Sequence, residues 1–94
     1  MASDQLFNVL QMVDGETTFI RFVELLAAER DSADKLPPTL DGFQGAWANQ
    51  TIADFLRAGA AWAEDSEFGV RPGPKPTNPW QLFATFLWAG RGYE

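Results

Sequence analysis

The sequence contains no cysteine and no histidine, and these two absences exclude several kinds of chemistry. Without cysteine there is no disulfide framework, no thiolate nucleophile and no Cys-type zinc or iron–sulfur site. Without histidine there is no Ser-His-Asp triad, no imidazole general base and no HExxH metal helix. The phosphate-binding patterns GxxxxGK[ST] and GxGxxG do not occur either. We therefore expect no enzyme, with no catalytic residue, no metal ligand and no cofactor.

Basic residues are also scarce, since seven Lys and Arg stand against thirteen Asp and Glu, for a formal net charge of −6. Nucleic-acid phosphates and anionic membrane surfaces repel such a chain, so we expect neither as a partner. No apolar run approaches the ~20 residues that span a bilayer. The first residues lack the basic and apolar regions of a signal peptide. These features together predict a cytoplasmic protein.

The acidic residues are concentrated early in the chain. Residues 1–34 contain seven acidic and two basic side chains, whereas residues 71–94 contain one acidic and three basic ones. Such asymmetry usually means a solvated acidic face, and the alternative is a field that steers a basic protein toward the domain. The acidic candidates for such steering are Asp31, Asp34, Asp65 and Glu67.

Hydrophobic residues make up 46% of the 94 residues and aromatic residues 14%, which predicts one folded domain over residues 1–94. Apolar residues recur at helical spacing in four segments, so we predict an all-α fold. Long Pro-rich connections favour an irregular or orthogonal bundle of three main helices and a short N-terminal one. We expect helices at about 4–12, 17–31, 51–64 and 79–89, and loops at 32–48 and 67–78.

Local signals refine this prediction. Asn78 followed by Pro79 is typical of a helix start. Gly59 costs about 1 kcal/mol relative to alanine inside a helix, and close approach of another helix is the simplest compensation. For Arg30 two roles stay open: a guanidinium near the end of its own helix, or an ion pair with a carboxylate of another helix. The expected inward stripe of the third helix consists of Ile52, Phe55, Leu56, Gly59 and Ala63.

Helix 79–89 is apolar nearly all round, so it is either central in the fold or paired with another molecule. Trp47 and Trp88 are among the rings that the helical stripes explain least. They either cap the edge of the core or act as anchors for a protein partner, a role in which tryptophan is enriched.

A series of aromatic and capping residues gives the chain a family resemblance. The series consists of Phe19–Leu26, Trp47–Leu56, Trp62, Asn78-Pro79-Trp80, Phe83-Ala84 and Gly92-Tyr93-Glu94. It resembles a family of small, acidic bacterial proteins that is labelled as an uncharacterised domain, and W-x-N-x-T-I-x-D-F-L is its most specific part. The resemblance implies a stand-alone bacterial cytoplasmic domain, and it brings no activity and no functional residues with it.

We therefore predict a non-enzymatic domain that binds another protein of unknown identity, with a basic protein favoured by the charge. A toxin-neutralising role, immunity-like or inhibitor-like, follows by analogy with other small acidic proteins. The alternative is a homo-oligomeric structural domain in which helix 79–89 pairs with a second copy. A carboxylate-based hydrolase or divalent-cation binder is a weaker alternative, because the acidic pairs do not match a calcium loop. The candidate partner-binding residues are Asp31, Asp34, Trp47, Asp65, Glu67 and Trp88.

Overall fold

A computed structural model describes residues 2–68 and 77–93 of the chain. The helices are α1 (Ala2–Gln11), α2 (Glu16–Ala33), α3 (Ile52–Ser66) and α4 (Pro79–Gly90). No strand forms in the two described stretches, where the only pairing of this kind is an isolated antiparallel bridge between Gln44 and Trp47. The all-α prediction is confirmed, and each helix end lies within two residues of its expected position. Most of the second predicted loop, residues 69–76, lies outside the described residues.

Helix α4 is central in the fold. It packs against α1, α2 and α3, whereas the backbones of α2 and α3 do not come close to each other. Ala84 of α4 is fully buried in the core. The rest of this core cluster consists of Leu6, Leu10, Val13, Phe22, Leu26, Ala33 and Trp47. The sequence left open whether this helix is central in the fold or paired with another molecule, and the central position is observed.

Two glycines allow α3 and α4 to pack closely. A Cβ on Gly59 would lie 3.0 Å from ring atoms of Phe86, and a Cβ on Gly90 would lie 2.8 Å from the backbone oxygen of Phe55. The close approach that we expected as compensation for Gly59 is therefore present. This contact holds α3 on one side of α4, while α2 packs on another.

Side-chain caps fix the starts of α3 and α4. The Thr51 side chain accepts a hydrogen bond from the backbone N–H of Asp54, as an N-cap does. The Asn78 side chain accepts from Trp80 and Gln81, and Pro79 occupies the first helical position. The predicted helix start at Asn78-Pro79 is confirmed.

The segment after α4 is fastened to the loop that precedes α3. The carbonyl oxygen of Arg91 accepts hydrogen bonds from the backbone N–H groups of Ala48 and Asn49. The Asn49 side chain donates to the carbonyl oxygens of Gly90 and Tyr93, at 2.8 and 3.1 Å. We call Asn49, Arg91 and Tyr93 the C-terminal clasp. The clasp keeps the loop before α3 beside the end of α4.

None of the helices within the described ranges has both the length and the apolar composition needed to cross a membrane.

Candidate interaction groove

A groove runs between α2 and α3 over the surface of α4. Its walls come from α2, from α3 and from the loop that precedes α3, and Leu87 of α4 contributes to its floor. It encloses about 400 Å³ and is mainly apolar. We call it the α2–α3 groove; its apolar lining consists of Val23, Leu26, Ala27, Trp47, Ile52, Phe55 and Leu87. The groove exists because α2 and α3 both pack on α4 without approaching each other.

The apolar surface continues beyond the groove on all three helices. A lining residue on each helix has an apolar neighbour three or four positions away, the spacing that places two side chains on one helix face. These pairs are Ile20 and Val23, Ile52 and Leu56, and Phe83 and Leu87. Ten large hydrophobic side chains are exposed in the described ranges. Two of them, Val23 and Ile52, line the groove, and helical spacing places four others beside those lining residues. The six are Ile20, Val23, Ile52, Leu56, Trp80 and Phe83.

This exposure corrects the expected inward stripe of α3. Ile52 is 80% exposed and Leu56 is 49% exposed, whereas Gly59 and Ala63 of the same stripe are buried. An apolar stripe at helical spacing has the same pattern whether it faces the domain's own core or an open groove. The first half of the stripe therefore lies beside the groove and the second half lies against α4.

Carboxylates follow the outer edge of the α2 wall. Glu16, Glu24 and Asp31 are spaced by eight and seven residues, about two helical turns, so they share one stripe of the helix. Ile20 and Ala27 lie between these acids at spacings of three or four residues, which places the stripe beside the groove. All three carboxylates are exposed. We call Glu16, Glu24 and Asp31 the acidic ridge.

One end of the groove is polar. Arg30 donates from Nε to the Asp34 carboxylate at 2.9 Å and from Nη2 to the Gln44 side-chain oxygen at 2.6 Å. Its guanidinium also lies 5.3 Å from the centre of the Trp47 ring, within cation–π range. Asp34 is the C-cap residue of α2. Of the two roles left open for Arg30, the one at the end of its own helix is observed.

Trp47, a candidate partner anchor, lies in the core. Its side chain is 5% exposed, and its indole N–H donates to Glu29 at 3.0 Å. Its ring stacks on Phe55, with the ring centres 5.6 Å apart. A partner anchor has to be accessible, so Trp47 supports the groove wall from behind instead of presenting an exposed ring.

Trp88, the other candidate ring, lies near the C-terminal clasp and away from the groove. It is half-buried, with its ring centre 5.4 Å from that of Phe7 and 5.2 Å from the Arg91 guanidinium. Its indole nitrogen is buried without a hydrogen-bond partner in the described part of the chain. These contacts place Trp88 at the edge of the core.

The four acidic candidates fall into two separate places. Asp34 lines the polar end of the groove, and Asp31 belongs to the acidic ridge. Asp65 instead accepts a hydrogen bond from the Tyr93 hydroxyl, and Glu67 is the left-handed C-cap of α3. Since Asp65 and Glu67 are not brought to the groove, only the first pair adjoins it.

Two titratable groups outside the groove have shifted pKa values. The hydrogen bond to Asp65 raises the pKa of the Tyr93 hydroxyl above its ordinary value of 10.0, because a phenolate would face a carboxylate. The Thr39 hydroxyl donates to Asp41 and lowers the pKa of that carboxyl. Within residues 2–68 and 77–93, no three Asp or Glu side chains converge on a position that a metal ion could occupy.

A family model matches residues 15–94 of the chain. The chain belongs to DUF7660, a family of unknown function. The expected resemblance to a family without an assigned function is confirmed. All residues of the groove and the acidic ridge lie inside the matched part of this DUF7660 chain, whereas α1 precedes it. No curated protein and no solved structure is similar enough to match the DUF7660 chain.

The sequence contains one signal of the groove. Ile20 of this DUF7660 chain lies about 100° around α2 from Phe19, outside the sector that Phe19, Phe22 and Leu26 share. An apolar side chain outside the core sector is the pattern expected when a helix has a second contact surface. Phe83 gives no comparable signal, because the surrounding helix is apolar nearly all round.

Proposed function

We propose that the chain is a non-enzymatic protein-interaction domain whose α2–α3 groove binds the apolar face of a helix from another protein. The observation that carries this proposal is the set of six exposed apolar side chains in and beside the groove. Contiguous apolar patches are uncommon on monomeric proteins and commonly mark interaction sites. A helix laid over α4 between α2 and α3 would cover side chains such as Ile52, 80% exposed, and Phe83, 55% exposed.

The groove favours a helix over an extended segment. Its floor and most of its walls are helices, whose backbone N–H and C=O groups are hydrogen-bonded internally, and the loop that completes the α3 side forms no strand in the described residues. Recognition then depends on side chains alone. An α-helix satisfies its own backbone groups and presents apolar residues at positions i, i+3, i+4 and i+7. The bound helix would pack on α4 as α1, α2 and α3 do, and it would fill the gap between α2 and α3.

A second copy of the chain is the other candidate occupant. Trp80 and Phe83 belong to α4, the helix for which self-association is the alternative, and both are exposed beside the groove. Self-association through this face would bury the same side chains as a foreign helix. A dimer through this face is therefore an alternative result of the binding test.

The biological use that we propose is neutralisation of a basic protein, such as a toxin, with the bacterial cytoplasm as its setting. The net charge of −6 supports this use, because it would speed encounter with a basic partner. The exposed carboxylates beside the groove also support it. Neither feature depends on catalytic chemistry.

The test is selection of helical peptides from a displayed library against the folded chain. We expect the selected peptides to share an apolar stripe and to bind at least tenfold more weakly to the Ile52→Gln/Leu56→Gln variant. Losing one well-buried apolar contact costs about 1.5–3 kcal/mol, which exceeds the 1.4 kcal/mol of a tenfold change. Met12→Gln is the matched control, because Met12 is 71% exposed and directly follows α1, outside the groove.

Three outcomes decide the proposal. Peptides weakened by the α3 variant and not by Met12→Gln support it. Peptides that bind the wild type and the α3 variant equally well contradict it, because their site is elsewhere. A dimer that forms at micromolar concentration and is lost in the α3 variant would replace the foreign helix with a second copy.

A further inference from the structure

The charges beside the α2–α3 groove specify the chemistry of its occupant. We infer that the occupant is a basic amphipathic helix that carries Lys or Arg on the flank facing α2 and an uncharged surface on the flank facing α3. The inference rests on the proposed function. It adds the charge of the partner helix and states which flank of that helix faces α2.

The α2 edge of the groove is acidic, and the basic residues at pairing distance in sequence, Arg21 and Lys35, form no ion pair with its carboxylates among the described residues. Neither Glu16 nor Glu24 nor Asp31 has an ion-pair or hydrogen-bond partner in the described ranges. Other carboxylates near the groove are already paired: Asp34 with Arg30 and Asp54 with Arg57. The acidic ridge is thus the part of this edge where a partner's cations would find free carboxylates.

The α3 edge has a different character. Ile52, Leu56 and Ala60 follow one another at four-residue spacing and are all exposed, so they form an apolar edge. The nearest cation on the same helix is Arg57, whose guanidinium lies 3.6 Å from the Asp54 carboxylate. Because the unpaired carboxylates beside the groove lie on α2, only one flank of a bound helix faces free carboxylates.

The asymmetry between the edges makes the placement of charge on the partner decisive. A Lys or Arg on the α2 flank would lie beside the acidic ridge, where its long apolar stem can cover Ile20 while its charge stays in water. The same residue on the α3 flank would meet Leu56 and Ala60 and gain no ion pair. Acidic side chains on the α2 flank would be repelled.

The experiment compares four designed helical peptides with one shared apolar stripe. Three carry Lys, Gln or Glu on the flank designed to face α2, and the fourth carries Lys on the opposite flank. We expect the first Lys peptide to bind about tenfold more tightly than the Gln peptide at low salt, as three surface ion pairs would give together. The Glu peptide should bind most weakly, and the advantage of Lys should shrink as salt is added.

Matched protein variants locate the charge effect. Glu24→Gln/Asp31→Asn leaves only Glu16 on the ridge, so it should remove most of the preference for the Lys peptide while leaving the affinity of the Gln peptide unchanged. Asp41→Asn/Glu64→Gln removes the same charge from exposed positions outside the groove lining, and it should preserve the preference. A loss of preference in both variants would mean that net charge alone attracts the peptide, and it would overturn the inference.

The failures of the two proposals are distinguishable. Equal binding of the Lys, Gln and Glu peptides, abolished in each case by Ile52→Gln/Leu56→Gln, would overturn the inference and leave the groove as a docking site. Equal binding of the two Lys peptides would overturn the assigned flank. Binding that is indifferent to Ile52→Gln/Leu56→Gln would contradict the proposed function itself.

Discussion

At the residue scale, Glu29 joins two groups that come from different parts of the chain. Its carboxylate accepts from the Trp47 indole at 3.0 Å and from the Arg91 guanidinium at 2.5 Å. The ion pair is largely buried, since the side chains of Arg91 and Glu29 are 7% and 15% exposed. A buried cation without its counter-charge is costly. Glu29 therefore holds both the groove-supporting ring and the C-terminal clasp against α2.

Replacing Glu29 should destabilise the fold in a graded way. Glu29→Ala leaves Arg91 and the Trp47 indole without their acceptor, so the free energy of unfolding should fall by about 3–5 kcal/mol. Glu29→Gln keeps one acceptor oxygen and should cost less. Urea unfolding measures both, and Glu24→Ala on the exposed ridge is the control, with an expected change within about 0.5 kcal/mol. An equal effect of Glu29→Ala and Glu24→Ala would contradict the buried pair.

Tyr93 provides a test of the clasp by titration. It is the only tyrosine in the chain, so its ionisation is observed directly by ultraviolet difference spectroscopy. Because its pKa is raised by Asp65, we expect a midpoint above 10.0, and Asp65→Asn should lower it. The contact stabilises the fold while Tyr93 is protonated, below its ordinary pKa, and this contribution is lost as the pH rises through the raised pKa. An unchanged midpoint in Asp65→Asn would contradict the hydrogen bond.

At the element scale, the helices are predictable because their signals are local. Asn78-Pro79 fixes the start of α4 within a few residues of sequence, and such a cap does not depend on the rest of the fold. Gly59 predicts the close approach of another helix, but it does not indicate which residue of that helix it contacts. The partner ring, Phe86, is set by how α4 crosses α3, and that depends on contacts far apart in the chain. Local elements were therefore predictable and their packing partners were not.

The glycines of α3 and α4 predict different responses to alanine. In Gly90→Ala the new Cβ would meet the fixed backbone oxygen of Phe55 at 2.8 Å, so α3 and α4 must separate, at a cost of about 1–3 kcal/mol. In Gly59→Ala the Cβ would meet the Phe86 ring, which can rotate, and alanine regains about 1 kcal/mol of helix propensity. Thermal unfolding should show the larger loss for Gly90→Ala. The reverse order would contradict this packing of α3 on α4.

At the scale of the whole molecule, the groove arises from the arrangement of three helices on one another. The sequence predicts four helices from their apolar periodicity, and the described residues form all four. It also predicts an inward Ile52, and this is wrong because the groove stays open beside the start of α3. The apolar pattern of a single helix does not show whether the face packs against another helix of the domain or borders an open groove. The sequence could not separate the acidic candidates for the same reason. Only the fold shows that Asp31 and Asp34 lie at the groove and that Asp65 lies beside Tyr93.

The DUF7660 family model covers all three helices of the groove. The matched residues, 15–94, contain α2, α3 and α4, which together form the groove. Helix α1 covers another side of α4 and contributes nothing to the groove lining. The three helices that carry the proposed function are therefore the ones that the family model includes.

The central claim is that the α2–α3 groove is the docking site, and amide chemical-shift mapping tests it most directly. An isotopically labelled wild-type chain would be titrated with a selected helical peptide. If the peptide lies in the groove, the largest shifts should occur at Val23, Ala27, Ile52, Leu56 and Phe83, with little change at Met12. Shifts confined to α1, or to the surface around Trp88 and Tyr93, would contradict the claim.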